Sequence, residues 1–202
     1  DDQGYYYCVV TNLCGEVTSN TATLTVNVAP AITQQPVDAW VCSPQTATIS
    51  IVVTGTPYPD IQWYDQTGTP VGLNDPILET VTAGSYYAVV TNVCGSVTSN
   101  TAMVTVEYGP TITEQPSSQT VCEGEPVTFS VAVTGTAPFS YQWRYNGGNI
   151  LNATQSSYTI ASVQQADAGS YDCIISNVCG TVTSTAATLT VELLPTITQD
   201  IV

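Results

Sequence analysis

The sequence predicts an all-β chain in which one small β-sandwich recurs head to tail, and three observations predict it. A ten-residue phrase occurs three times, as Thr11-Asn-Leu-Cys-Gly-Glu-Val-Thr-Ser-Asn20, Thr91-Asn-Val-Cys-Gly-Ser-Val-Thr-Ser-Asn100 and Ser176-Asn-Val-Cys-Gly-Thr-Val-Thr-Ser-Thr185. Runs such as Val127-Thr-Phe-Ser-Val-Ala-Val133 and Thr188-Leu-Thr-Val191 alternate apolar with small polar residues, the period of two that marks strands with one buried face. Turn signals (Thr-Gly-Thr, Asn-Gly-Gly, Ala-Gly-Ser, Cys-Gly) separate the runs, and no stretch keeps a helical period.

The repeats set the organisation. The phrase is offset first by 80 and then by 85 residues, and Pro30, Pro110 and Pro195 keep the same step. Trp40-Val-Cys-Ser matches Thr120-Val-Cys-Glu, and Ile61-Gln-Trp63 matches Tyr141-Gln-Trp143. One period is therefore one small domain. Phasing on the prolines makes 1–29 the last strands of a truncated repeat, 30–109 and 110–194 two whole repeats, and 195–202 the first strand of a further one. A lone strand pair cannot bury its apolar face without the rest of its sheet, so the chain reads as a window on a longer tandem array.

Composition narrows the function. The 202 residues fit one or two domains of roughly 100–150 residues each. Lys+Arg total 1 against Asp+Glu 16, a net charge of −15, which repels phosphate backbones and anionic headgroups; nucleic-acid partners and a polybasic anchor are excluded. Histidine is absent, which removes the usual neutral-pH base, metal ligand and partner of a nucleophile, so no enzyme is expected. Hydrophobic residues make up 43% and charged ones only 8%, the balance of a globular chain with an uncharged polar surface. No apolar run approaches the roughly 18 residues of a membrane span, and no basic stretch precedes an apolar one at the N-terminus. Seven cysteines point to an extracellular setting, with an odd count to explain. Glu123-Gly-Glu125 is the densest acidic pair; without an Asp-x-Asp-x-Asp loop it implies solvated turn carboxylates, no metal and no cofactor.

The particular sandwich comes from Asp167-Ala-Gly-Ser-Tyr171-Asp-Cys173 downstream of Trp143, which resembles the Asp-x-Gly-x-Tyr-x-Cys corner and core tryptophan of immunoglobulin-like domains. Asp2, Gly4, Tyr6 and Cys8 repeat the corner. The resemblance implies tandem immunoglobulin-like β-sandwich repeats in a linear array, with Trp63 and Trp143 in the cores and Tyr6, Tyr86 and Tyr171 tying the turn between strands E and F to the backbone. Repeat 30–109 has Thr82 for the aspartate and Ala88 for the cysteine, so its corner is expected to be looser. The family's first core cysteine is replaced by Ile51 and Val131, so the usual inter-sheet disulfide is missing. Cys173, and Cys8 by analogy, are then buried free thiols acting as small hydrophobes.

In that sandwich Cys42 and Cys122 fall before strand B, near the end from which the chain exits, and Cys14, Cys94 and Cys179 fall in the F–G turn at the other end. Cys122 is nine residues ahead of Val131 and Cys179 six beyond Cys173, which separates them by more than ~25 Å at strand rise. A disulfide spans at most about 7 Å between Cα atoms. Head-to-tail stacking brings an exit end to the next F–G end, so a Cys42–Cys179 inter-domain disulfide is expected, with Cys14, Cys94 and Cys122 paired outside the chain. Cys42–Cys94 and Cys122–Cys179 within repeats is the competing assignment. The linker Val106-Glu-Tyr-Gly-Pro110 has few spare residues and implies a stiff join.

The remaining candidates are contact residues. Trp40, beside a junction cysteine, is expected to pack on the neighbouring repeat, and Tyr5, Tyr7 and Tyr87 point outward, where they could grip a protein or a glycan. Arg144 follows Trp143 and should pair with a local carboxylate. Asn152-Ala-Thr154 fits the N-glycosylation sequon. Pro-x-Ile-Thr-x-Gln-Pro openings, Val-Cys-Glu-Gly-Glu and Thr-Gly-Thr-Ala-Pro-Phe-Ser-Tyr-Gln-Trp143 are together similar to the tandem immunoglobulin-like repeats of very large secreted or cell-surface Bacteroidota proteins, gliding-type adhesins included. That resemblance implies export to the cell surface and a structural role in a filament or adhesin stalk. Its partners would be neighbouring repeats and, in a filament, other copies, with no direct membrane insertion. The alternatives are a glycan- or protein-binding module and a non-catalytic spacer of a secreted enzyme.

Overall fold

The structure, a computed structural model, describes residues 2–193, 195 and 196. The chain divides between Val106 and Glu107 into two compact units. The strand expected at 195–202 lies outside the described residues.

The first unit begins with four short strands that pair only in twos. Gly4–Tyr6 pairs with Ala22–Leu24, and Val9–Asn12 turns back on Gly15–Thr18. A sandwich follows. One sheet runs in the order Pro70–Val71, Asp60–Asp65, Gly84–Asn92, Ala102–Glu107, Ala39–Cys42, with Gly95–Thr98 extending Gly84–Asn92. Facing it are the pairs Val28–Gln34 with Val52–Thr56 and Ala47–Ser50 with Ile77–Thr80. Inward residues of both sheets form the core: Ile49, Ile51, Trp63, Leu78, Ala88, Val90 and Val104.

The second unit repeats the plan. Gln119–Cys122 lies parallel to Ala187–Glu192, which pairs with Gly169–Asn177, then Ser140–Tyr145 and Gly148–Asn149. Gly180–Thr183 extends Gly169–Asn177. The facing pairs are Thr111–Glu114 with Ala132–Thr134 and Val127–Ser130 with Ser157–Ile160. Its core is more aromatic. Phe129 stacks on Tyr171 at 4.6 Å between centroids, and Trp143 lies 6.2 Å from Phe129. The core tryptophans Trp63 and Trp143 are fully buried, and each indole N–H is matched, Trp63 to the Asp75 carbonyl and Trp143 to the Gln155 carbonyl, both at 3.0 Å. Truncating either would cost about 3–5 kcal/mol.

The last strand of each sandwich is split, and a serine fills the break. Ser184 Nα donates to the Cys173 carbonyl, and its hydroxyl accepts the Cys173 N–H, both at 2.9 Å. Ser99 does the same for Ala88 at 2.8 Å, and Ser19 for Cys8 at 2.8 Å. A side chain thus replaces the strand partner that the ladder lacks at that residue.

Candidate functional site

The cysteine-bearing ends of the repeats are the most elaborated features of the surface. Each hairpin turn joins paired residues, Asn12 with Gly15, Asn92 with Gly95 and Asn177 with Gly180, and places its cysteine just before the glycine. The asparagine carboxamide oxygen accepts the N–H of Cys14 at 2.7 Å, of Cys94 at 2.9 Å and of Cys179 at 2.9 Å. The other end of the same side chain reaches out of the turn. Asn92 Nδ2 donates to the carbonyls of Val28 at 2.8 Å and Pro57 at 3.1 Å, and Asn177 Nδ2 to those of Tyr108 at 2.7 Å and Thr136 at 2.8 Å. One asparagine therefore fastens the cysteine turn, the Thr-Gly-Thr turn and the incoming linker together.

Close approach of the linker makes glycine necessary in the Thr-Gly-Thr turn. A Cβ on Gly135, at φ +129°, would lie 2.5 Å from the Gly109 carbonyl oxygen, and one on Gly55, at φ +155°, 3.3 Å from Pro30 Cα. Neither the asparagine fork nor this glycine was singled out from sequence, although both recur in step with the repeat. That recurrence is the signal that could have found them.

At the opposite end, Cys42 and Cys122 close the strands Ala39–Cys42 and Gln119–Cys122, and the chain turns there. Gln45 N–H donates to the Cys42 carbonyl at 2.8 Å and Glu125 N–H to the Cys122 carbonyl at 3.2 Å. Cys42 and Cys179 are disulfide-bonded, whereas Cys8, Cys14, Cys94, Cys122 and Cys173 are thiols. The assignment Cys42–Cys94 with Cys122–Cys179 is thereby corrected, since Cys94 and Cys122 are free and exposed.

Cys173 is buried, and desolvation pushes its thiol from 9.0 up to about 11, so it holds almost no thiolate at neutral pH. Cys8 departs from the buried thiol expected by analogy: it is exposed. The reason is that the four N-terminal strands have no facing sheet. Tyr6 is 50% exposed where Tyr86 and Tyr171 are 4% and 2%, so Tyr6 is not a core residue.

All three corner bonds nevertheless form. The hydroxyls of Tyr6, Tyr86 and Tyr171 donate to the carbonyls of Asp2, Thr82 and Asp167, the last two at 2.9 and 2.8 Å. The looser corner expected for Thr82 does not appear, because the acceptor is backbone. What Asp167 adds is a separate bond, accepting the Gln164 N–H at 2.8 Å and capping the 3-10 turn Gln165–Asp167.

Among the contact candidates, Tyr5, Tyr7 and Trp40 are exposed, whereas Tyr87 is half-buried against Tyr64 with centroids 5.4 Å apart. The second unit carries Arg144 and Asp172 at the matching cross-strand positions, where they form a two-pronged ion pair at 2.6 and 2.7 Å. Hydrogen bonding to Asp172 holds the Arg144 pKa above its ordinary value. Asn152 and Thr154 of the sequon are exposed. An open groove of about 410 Å³ runs along Gly72–Leu73 and Ile77–Glu79, and among the described residues no three metal-ligating side chains converge.

Fold and ends together define the class: an array of immunoglobulin-like β-sandwiches whose distinguishing chemistry is cysteine at both ends of each module. Residues 109–177 match the family model for the immunoglobulin domain. Human leucine-rich repeats and immunoglobulin-like domains protein 1 is 30% identical over 202 residues, covering 89% of this chain and 18% of that protein. Mouse Roundabout homolog 1 is 31% identical over 209 residues, covering 92% of this chain and 13% of its own. The chain thus spans less than a fifth of these relatives. Among solved structures, the I-band fragment I67–I69 from titin superposes with a TM-score of 0.71 at 22% identity, over 95% of this chain and 75% of that one. Sidekick-1 immunoglobulin domains 1–4 give 0.63 at 19% identity, over 95% and 59%. The chain thus belongs to the immunoglobulin-like domain family, and these relatives are animal proteins, not the bacterial surface proteins expected from the motif resemblance, or share the fold alone. No helix among the described residues is long and apolar enough to cross a membrane.

Proposed function

We propose that the chain is a structural segment of an extracellular surface filament or adhesin stalk, with a Cys42–Cys179 disulfide fixing the join between its two whole repeats. The observation that carries this reading is that these two cysteines are disulfide-bonded while neither sandwich has a bond across its own core. A bond between cysteines at module ends would restrain the hinge between repeats. In the chain-entropy model, closing so long a loop stabilises by about 4–5 kcal/mol.

The asparagine fork serves the same end, because it fixes each linker to the module it enters. The apolar face of strands 4–24, exposed at Val10 and Leu24 where the complete repeats bury Val90 and Val104, calls for a complementary half-sandwich and fits a truncated repeat of a longer array. The repeated Pro-x-Ile-Thr openings favour a bacterial cell surface. Neighbouring repeats are the primary partners, and lateral packing of copies would need salt to screen a net charge of −15.

Small-angle X-ray scattering of the chain with and without reductant tests the reading. Reduction should broaden the distance distribution, as should Cys42→Ser; identical curves in both states would count against it. A second reading, a protein- or glycan-binding module, is favoured by the exposure of Tyr5 at 78% and Tyr7 at 64%. Saturable binding lost in Tyr5→Ala/Tyr7→Ala would support it.

A further inference from the structure

The groove along Gly72–Leu73 and Ile77–Glu79 lies wholly in the first unit, and its walls are not what the fold requires. The two sandwiches stay in step here. Ile77 faces Ser50 as Ser157 faces Ser130, and each core indole donates to the carbonyl of the residue 12 positions on. At the matching positions the second unit has Ala153 for Leu73, Gln155 for Asp75, Ser157 for Ile77 and Thr159 for Glu79. Leu73 is 82% exposed and Ile77 48%, whereas Ala153 is 7% exposed. A sandwich that folds with the second set has no structural need for two solvent-facing aliphatic chains beside two carboxylates.

The groove also runs along an open strand edge. Among the described residues Ile77–Thr80 pairs only with Ala47–Ser50. The Ile51 N–H donates to the Pro76 carbonyl at 3.0 Å, which sets the phase of the antiparallel ladder: residues 76, 78 and 80 bond to that partner, and 77 and 79 turn their peptide groups away from it. Asp75 accepts the Ile77 N–H at 2.8 Å. The Ile77 carbonyl and the Glu79 N–H and carbonyl are left facing out of the sheet, as a template for one more strand.

We infer that this edge docks an extended peptide segment of another protein, one that alternates aliphatic with basic residues and adds as a strand beside Ile77–Thr80. Ile77 and Glu79 supply the main-chain bonds, Leu73 and Ile77 the apolar contact, and Asp75 and Glu79 select the charge. A second copy does not fit. Arg144 is the chain's single Lys or Arg and is held by Asp172, and two copies at a net charge of −15 repel. The site is independent of the Cys42–Cys179 join, because the groove lies within residues 72–79.

The probe is a fluorescent, end-blocked peptide of alternating Val and Lys, about six residues long so that it overruns the four of Ile77–Thr80. Titrated with the full chain and read by anisotropy, it should bind saturably with a Kd below about 100 μM. Ile77→Ser/Glu79→Thr, which installs the second unit's residues, should weaken binding about tenfold, and Leu73→Ala gives the same test from an exposed loop where the fold is not at stake. A peptide of equal charge with proline at its centre lacks a ladder N–H and should also bind about tenfold worse, and a Val/Glu peptide should not bind. In amide NMR spectra of the chain, Glu79 should shift on binding and residues 157–160 should not. Reductant should leave the Kd unchanged, so failure of the Cys42–Cys179 join would not remove this site. Equal affinity for the proline peptide would reveal attraction to net charge alone and overturn the inference. Unchanged affinity in the variants, shifts centred on 157–160 or no saturable binding would each do the same. A Glu79 amide that shifts with chain concentration when no peptide is present would make a second copy the occupant and likewise overturn it.

Discussion

Removing the Ser184 hydroxyl tests the most economical device in the fold. Ser184 is 7% exposed and Cys173 fully buried, so in Ser184→Ala the Cys173 N–H loses its acceptor where water cannot reach. The Thr185 carbonyl also loses a donor at 2.9 Å. A buried donor left unmatched costs about 1–3 kcal/mol, which at about 1.4 kcal/mol per decade is roughly a 5- to 150-fold change in an opening equilibrium. Amide hydrogen exchange followed by mass spectrometry reads that change segment by segment in the intact chain. Peptides from the second unit should exchange faster by that factor and those from 30–106 should not. Ser184→Thr keeps a hydroxyl and should recover most of the protection. Ser19→Ala removes the same bond from an exposed strand pair, where water substitutes, and should cost less than about 0.5 kcal/mol. Exchange within twofold of wild type in Ser184→Ala, or equal acceleration in both units, would refute the reasoning.

Tyr86→Phe and Tyr171→Phe should each cost about 1 kcal/mol and cost the same, since both hydroxyls donate to a backbone carbonyl at nearly equal distance; urea titrations of the two variants compare them. Gly135→Ala forces a Cβ within 2.5 Å of the Gly109 carbonyl oxygen at positive φ, and should lower the thermal midpoint by destabilising the second unit by at least about 1 kcal/mol. In alkali, Cys173 keeps its proton in the folded state up to about 11 while the unfolded chain releases it from 9.0, so the unfolded state gains. Stability should be complete below pH 9, fall with rising pH between the two values and level off beyond, and Cys173→Ala should flatten that slope in a pH series of urea midpoints.

Much of the sandwich was legible because its signals are local and repeated. The period of two in Val127–Ser130 and the Trp143-to-Tyr171 spacing identify strands and corner without knowledge of any partner strand. Burial is a different matter, since it depends on what lies opposite. Cys8 and Tyr6 carry the same signals as Cys173 and Tyr171, yet they are exposed because nothing among residues 2–29 faces them. The expected weakness at Thr82 failed for a related reason, as the corner bond uses a backbone carbonyl to which sequence is blind. Asn92 and Asn177 were passed over because asparagine in a turn is ordinary. Their importance lies in bonds to residues such as Val28 and Tyr108, more than 60 positions away in sequence.

The scarcity of cations supplies the most direct measurement. Arg144 is the chain's single Lys or Arg, so trypsin can cut it only once, before Tyr145. The chain is unfolded in urea with its thiols blocked, digested, and weighed with and without reductant. The account predicts that the two fragments stay joined until reduced, that the link survives Cys122→Ser, and that Cys42→Ser abolishes it. Fragments that part without reductant, or a link that follows Cys122 instead of Cys42, would contradict it.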